Sequence, residues 1–132
     1  MSYQLKEIND RVKADPKGFM EECDRDYASH VSQAATGIAE RIRISPIALL
    51  SGPSGSGKTT TALKLEEELS HRGIRTRTVS LDNYFHPMHP QKAPRTPDGA
   101  IDYESPKCLD MDLLDETFTR LSRGEEVIIP RF

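Results

Sequence analysis

The chain predicts an α/β fold: a parallel sheet flanked by helices and preceded by N-terminal α-helices. Three observations predict it. The run Gly52-Pro53-Ser54-Gly55-Ser56-Gly57-Lys58-Thr59 fits the pattern G-x-x-x-x-G-K-[ST]. A short apolar segment without charges, residues 47–51, precedes it and reads as a buried parallel strand. Residues 60–70 follow, with Ala62, Leu65 and Leu69 at helical spacing and Glu66, Glu67 and Glu68 turned away from that face. Gly73 supplies the stop. A glycine/serine linker that matched by chance would not carry strand, loop and helix in this order.

Each position of the run has a physical role. Glycines let the backbone curl with positive φ, so that successive N–H groups converge on phosphate oxygens. Lys58 reaches the β- and γ-phosphates as a point charge, and the Thr59 hydroxyl is the candidate Mg²⁺ ligand. A helix opening near Lys58 adds its positive N-terminal end. The candidate nucleotide-binding residues are Gly52, Ser54, Gly55, Ser56, Gly57, Lys58, Thr59 and Thr60. The run reads as the P-loop of a nucleoside-triphosphate-binding fold.

Composition bounds the other classes. A chain of 132 residues holds one modest domain, and 36% hydrophobic against 30% charged content reads as globular rather than disordered. The net charge of −3 argues against nucleic-acid or acidic-membrane partners. Cys23 and Cys108 lie far apart without metal-ligand spacing, so they read as free thiols in a reducing compartment. The first fifteen residues lack an apolar signal core. No run approaches the roughly 20 apolar residues that span a bilayer. The expected location is the cytoplasm.

Along the chain, residues 2–14 read as a short helix with Leu5, Ile8 and Val12 on one face. Asp15-Pro16 reads as an N-cap with proline at the first helical position. A longer helix, residues 17–42, carries an apolar stripe of Met20, Cys23, Tyr27, Val31, Ala34, Ile38 and Ile42. That stripe packs on its own domain or serves a dimer or docking contact. Residues 74–81 read as a second strand leading into Asp82-Asn83-Tyr84-Phe85. Pro87, Pro90, Pro94 and Pro97 then exclude regular helix or central strand. Residues 111–123 form another helix candidate stopped by Gly124, and residues 127–130 begin a further strand. Asp102 and Asp110 read as a turn acid and a helix cap. The expected organisation is an N-terminal helical extension over 1–43 and the front half of a kinase domain over 44–132, continuing beyond 132. P-loop kinase sheets run to about five strands, so the fold reads as truncated. An open sheet edge would favour homo-oligomers.

Asp82 sharpens the chemistry. It stands at the C-terminal end of an expected parallel strand, where open α/β sheets place their ligands. Phosphoryl transfer needs in-line positioning, charge neutralisation and a carboxylate for the accepting hydroxyl. Asp82 and Lys58 are therefore the candidate catalytic pair.

The order of these elements resembles the uridine kinase and phosphoribulokinase family. The likeness rests on residues 52–60, Leu81-Asp82-Asn83-Tyr84-Phe85, Asp102-Tyr103-Glu104-Ser105-Pro106 with Leu109-Asp110, then Gly124 and residues 127–132. The resemblance implies transfer of the γ-phosphate of ATP or GTP, with Mg²⁺, to a primary hydroxyl, which in uridine kinases is the 5′-OH of uridine or cytidine. It implies Asp82 as catalytic base, Lys58 and Thr59 as phosphate and Mg²⁺ residues, and Glu104 at the position that grips ribose hydroxyls. It places Phe85 and Phe132 at aromatic positions by the base pocket. The implied partners are a nucleotide and a small-molecule substrate. The 132-residue chain alone is expected to lack transfer activity, because the family's lid arginines would lie beyond Phe132.

The chain departs from uridine kinases at four of these positions. Tyr103-Glu104-Ser105-Pro106 stands where they read Tyr-Asp-His-Pro, and phenylalanine stands at 85 and 132 where tyrosine is usual. A stacking surface remains, but two hydroxyls that could read a base edge are gone. Two alternatives follow: a kinase of another polyol or sugar phosphate, and a non-catalytic nucleotide-binding module.

Overall fold

The computed structural model describes residues 4–87 and 93–131. Four α-helices are present among them: α1 (Leu5–Ala14), α2 (Pro16–Arg41), α3 (Lys58–His71) and α4 (Met111–Ser122). Two single-turn 3₁₀ helices cover Leu81–Tyr84 and Pro106–Cys108. The chain divides into two compact units, residues 1–42 with 49–76, and residues 43–48 with 77–132.

In the first unit, Asp15 separates α1 from α2 with φ −153° and ψ 84°. Its carboxylate accepts from the Gly18 N–H at 2.9 Å, and Pro16 occupies the first turn, where no intrahelical donor is lost. Gly18 is matched to this cap, since a Cβ there would stand 2.1 Å from Asp15 Oδ2. α1 folds back on α2 through Arg11, which pairs with Glu22 and lies 4.7 Å above the Phe19 ring. α2 packs on α3, and Val31, Ala35 and Leu69 are the buried side chains of these helices.

The sequence stripe on α2 is thus shifted. Ala35 rather than Ala34 is buried, and Met20 stays 66% exposed. The reason is geometric: the contact line follows the i, i+4 pair Val31 and Ala35, and the Ala35 methyl permits close approach of α3. Arg72, at the C-terminal end of α3, donates to the Ser32 carbonyl and hydroxyl, to the Thr36 hydroxyl and to Glu68.

In the second unit, Tyr84, Ala93, Cys108, Leu114 and Thr117 are buried. An antiparallel bridge joins Phe85 to Leu109. Its bonds run from His86 N–H to the Cys108 carbonyl (2.9 Å) and from Asp110 N–H to the Tyr84 carbonyl (2.7 Å). Asp110 then caps α4, its carboxylate accepting from Leu113 N–H at 2.9 Å. A second bridge pairs Arg95 with Ile101 across a turn closed by Gly99 at φ 89°. In that turn the Thr96 hydroxyl, then the backbone N–H groups of Asp98 and Ala100, hold the Asp98 carboxyl below the usual carboxylate range.

The parallel sheet expected from the sequence is not formed among the described residues. Segments 47–51, 74–80 and 127–130 carry no β-ladder, and among the described residues the only bridges are the two antiparallel ones. A strand is defined by a neighbour that takes its N–H and C=O groups. These segments lack one, and their apolar side chains are uncovered: Leu49 is 80% and Ile128 90% exposed.

Candidate functional site

Residues 52–57 curl back on themselves and deliver the chain into α3. Gly55 and Gly57 hold φ 72° and 80°, left-handed conformations that glycine adopts without a Cβ penalty. Gly57 is the N-cap of α3 and brings no capping side chain. The first N–H groups of α3 therefore remain donors for an anion. The Ser56 N–H bonds the Pro53 carbonyl at 3.2 Å, tightening the curl. Gly52 sits close beneath it, since a Cβ there would lie 2.9 Å from Ser56 Oγ.

Lys58 is turned into the loop. Its ammonium donates to the carbonyls of Gly52 (2.8 Å) and Pro53 (2.9 Å). An ammonium has three N–H donors, so one remains for a phosphate oxygen. Thr59 and Thr60 are exposed at the start of α3. Positive-φ glycines, uncapped first-turn amides, a lysine over the loop and an accessible threonine hydroxyl form a donor set suited to a polyphosphate and its Mg²⁺. Among the described residues no group of three His, Cys, Asp or Glu side chains is placed to bind a metal.

In the second unit, Ser80 caps the turn that carries Asp82, its hydroxyl accepting from Asp82 N–H at 3.3 Å. Asp82 is exposed. The next three residues run along an open cleft of about 370 Å³, lined by Asn83, Tyr84, Phe85, His86, Pro87, Asp110, Leu113, Pro130 and Arg131. Phe85 is half-buried and lines this cleft. Glu104 stands in an exposed turn, its N–H bonded to Asp102 Oδ1 at 3.1 Å, and is not among the residues lining the cleft. Phe132 lies outside the described residues.

Sequence reasoning missed three cleft residues. Asp110 was legible only as a cap, whereas it also lines the cleft. Arg131 brings a cation there. Tyr84 is 1% exposed, with a buried hydroxyl that has no hydrogen-bond partner. The available signal was proximity in sequence to Asp82 and to the segment ending at 132.

The sequence model of the Phosphoribulokinase / Uridine kinase family matches residues 47–132. A uridine kinase of Saccharomyces cerevisiae is 31% identical over 81 residues, which cover 61% of this chain and 16% of that protein. A uridine kinase of Schizosaccharomyces pombe is 32% identical over 81 residues, covering 61% of this chain and 17% of that protein. The match thus spans about a sixth of the length of these curated relatives. No solved structure matches the chain. Among the described residues, no helix is long and apolar enough to cross a membrane.

Proposed function

The chain belongs to the phosphoribulokinase / uridine kinase family, and from that premise we propose that it serves ATP- or GTP-dependent phosphoryl transfer to a primary hydroxyl of a small molecule, the 5′-OH of uridine or cytidine. The observation that carries this reading is the loop of residues 52–57, with Gly55 and Gly57 left-handed and Lys58 drawn onto the Gly52 and Pro53 carbonyls. That arrangement supports polyphosphate binding.

In this reading, the first-turn amides of α3 and the free N–H of Lys58 hold the β- and γ-phosphate oxygens. Thr59 offers its hydroxyl to Mg²⁺, and Mg²⁺, when bound, neutralises charge that builds on those oxygens. Asp82 accepts the proton of the acceptor hydroxyl. The hydroxyl oxygen forms its bond to the γ-phosphorus as the bond to the bridging oxygen breaks, and the nucleoside diphosphate leaves. Phe85 supplies a stacking face for the acceptor, and Glu104 a carboxylate for its vicinal hydroxyls. The fold proposed for the family part is a P-loop NTPase domain over 44–132, with residues 1–43 as the helical extension.

A second reading, a kinase of another polyol or of a sugar phosphate, is favoured by Arg131, which brings a cation to the cleft beside Phe85. Such a charge suits an anionic acceptor better than a neutral nucleoside.

The test is transfer of labelled γ-phosphate from Mg·ATP to a panel of nucleosides, polyols and sugar phosphates. It uses this chain and a form extended past residue 132, with Lys58→Ala as blank. Transfer to uridine or cytidine by the extended form alone is the expected result. Transfer to the anionic acceptors alone would select the second reading. Nucleotide binding without transfer to any acceptor would leave a binding module.

A further inference from the structure

The helices before residue 47 lie outside the family match, yet α2 makes the most extensive helix contact with α3, the helix that opens at Lys58. Two polar ties join them. Near the start of α3, the Tyr27 and Thr61 hydroxyls stand 2.8 Å apart. One turn on, the Lys64 ammonium lies 5.6 Å from the centre of the Tyr27 ring. At the far end, Arg72 reaches the Ser32 carbonyl (3.1 Å), the Ser32 hydroxyl (2.9 Å) and the Thr36 hydroxyl (2.7 Å). Tyr27 precedes Ser32 and Thr36 as Thr61 precedes Arg72, so α2 and α3 run in the same direction, and α3 is tied near both of its ends.

Thr61 is not an arbitrary anchor. Its N–H donates to the Gly57 carbonyl at 2.9 Å, which closes the turn containing Lys58, Thr59 and Thr60. The amides of that turn are the donors that face a phosphate. Rotation or sliding of α3 would carry them off target, and phosphate positioning is sensitive to displacements of about 1 Å.

We propose that α2 is a positioning element for the phosphate-binding helix and that Tyr27 is its positioning residue, acting through Thr61. The inference rests on the nucleotide-binding part of the reading above. Tyr27 touches neither phosphate nor acceptor. It holds the turn whose amides do.

The experiment measures Mg·ADP affinity by calorimetry, with the melting temperature alongside, for the wild type, Tyr27→Phe, Thr61→Val, the double variant and Lys58→Ala. Tyr27→Phe keeps the ring and removes only the hydroxyl, so the fold is retained. Loss of this tie is expected to weaken Mg·ADP binding about two- to tenfold. The melting temperature should hold to within about 2 °C. Thr61→Val should do the same, and the double variant should be no weaker than either single one.

Unchanged affinity in Tyr27→Phe, or losses that simply add in the double variant, would overturn the inference while leaving nucleotide binding intact. A loss that only tracks a fall in melting temperature would assign Tyr27 to stability alone and overturn it too. A wild type that binds no Mg·ADP, or binds it as well with Lys58→Ala, would overturn the nucleotide reading and this inference with it.

Discussion

Lys58 Nζ donates to the Gly52 carbonyl at 2.8 Å, so the residue that opens α3 closes the loop that leads into it. The second bond, to Pro53, makes the ammonium a clasp across the curl. One side chain therefore shapes the loop and presents charge to it.

Removing that clasp separates binding from folding. Lys58→Ala is expected to weaken Mg·ATP binding by about 10- to 100-fold, the worth of one charge-assisted contact of roughly 1.5–3 kcal/mol. The melting temperature should change little, because α3 is held by α2 through Val31, Ala35 and Leu69. Calorimetric titration together with a thermal melt checks both.

Gly57→Ala tests the loop backbone. At φ 80° an alanine Cβ costs about 1–2 kcal/mol. Nothing lies within 4 Å of a Cβ there, so the penalty is conformational rather than a clash. The urea midpoint should fall accordingly, and nucleotide affinity should fall with it, because relieving the strain swings the first-turn amides.

Asp82→Asn tests the proton acceptor. The exposed carboxylate becomes an amide of the same shape, so nucleotide affinity should be retained. In the form extended past residue 132, transfer should drop by about 10²- to 10⁴-fold, the usual worth of general-base help. A rate within threefold of the wild type, measured with saturating acceptor, would remove Asp82 from the mechanism.

Asp110→Ala tests the link between α4 and the cleft. The lost bond to Leu113 N–H should lower stability by about 1 kcal/mol, read from chemical denaturation. The main-chain bond from Asp110 to the Tyr84 carbonyl survives the change.

Glu68 predicts an acid-sensitive tie between α2 and α3. The Arg72 hydrogen bond is the largest of the causes that hold its carboxyl below the ordinary glutamate range. A carboxylate lowered in the folded state stabilises fully above the unfolded value and loses that contribution as pH falls through the lowered one. The melting-temperature difference between wild type and Glu68→Gln should therefore be steady near neutral pH and shrink towards pH 3. The pair is exposed, so added salt should shrink it as well.

What the chain determined alone is what acts over a few residues. The curl of residues 52–57, the caps at Asp15 and Asp110, the stops at Gly73 and Gly124 and the helices they bound all depend on local φ preferences and on donors within one turn. Those signals survive without knowledge of the rest of the molecule. Which face of α2 is buried depends instead on the partner that arrives. The stripe was compatible with Ala34, and contact with α3 selected Ala35. The Tyr27–Thr61 bond joins residues 34 apart and Arg72 meets Ser32 across 40, distances over which the sequence carries no pairing signal. The cleft gathers Phe85, Asp110 and Arg131 from three stretches of chain, and only their convergence makes a cavity. The apolar runs at 47–51 and 127–130 are the converse case. Their composition favours strands, but a strand exists only where a neighbour accepts its backbone bonds, and that condition is tertiary.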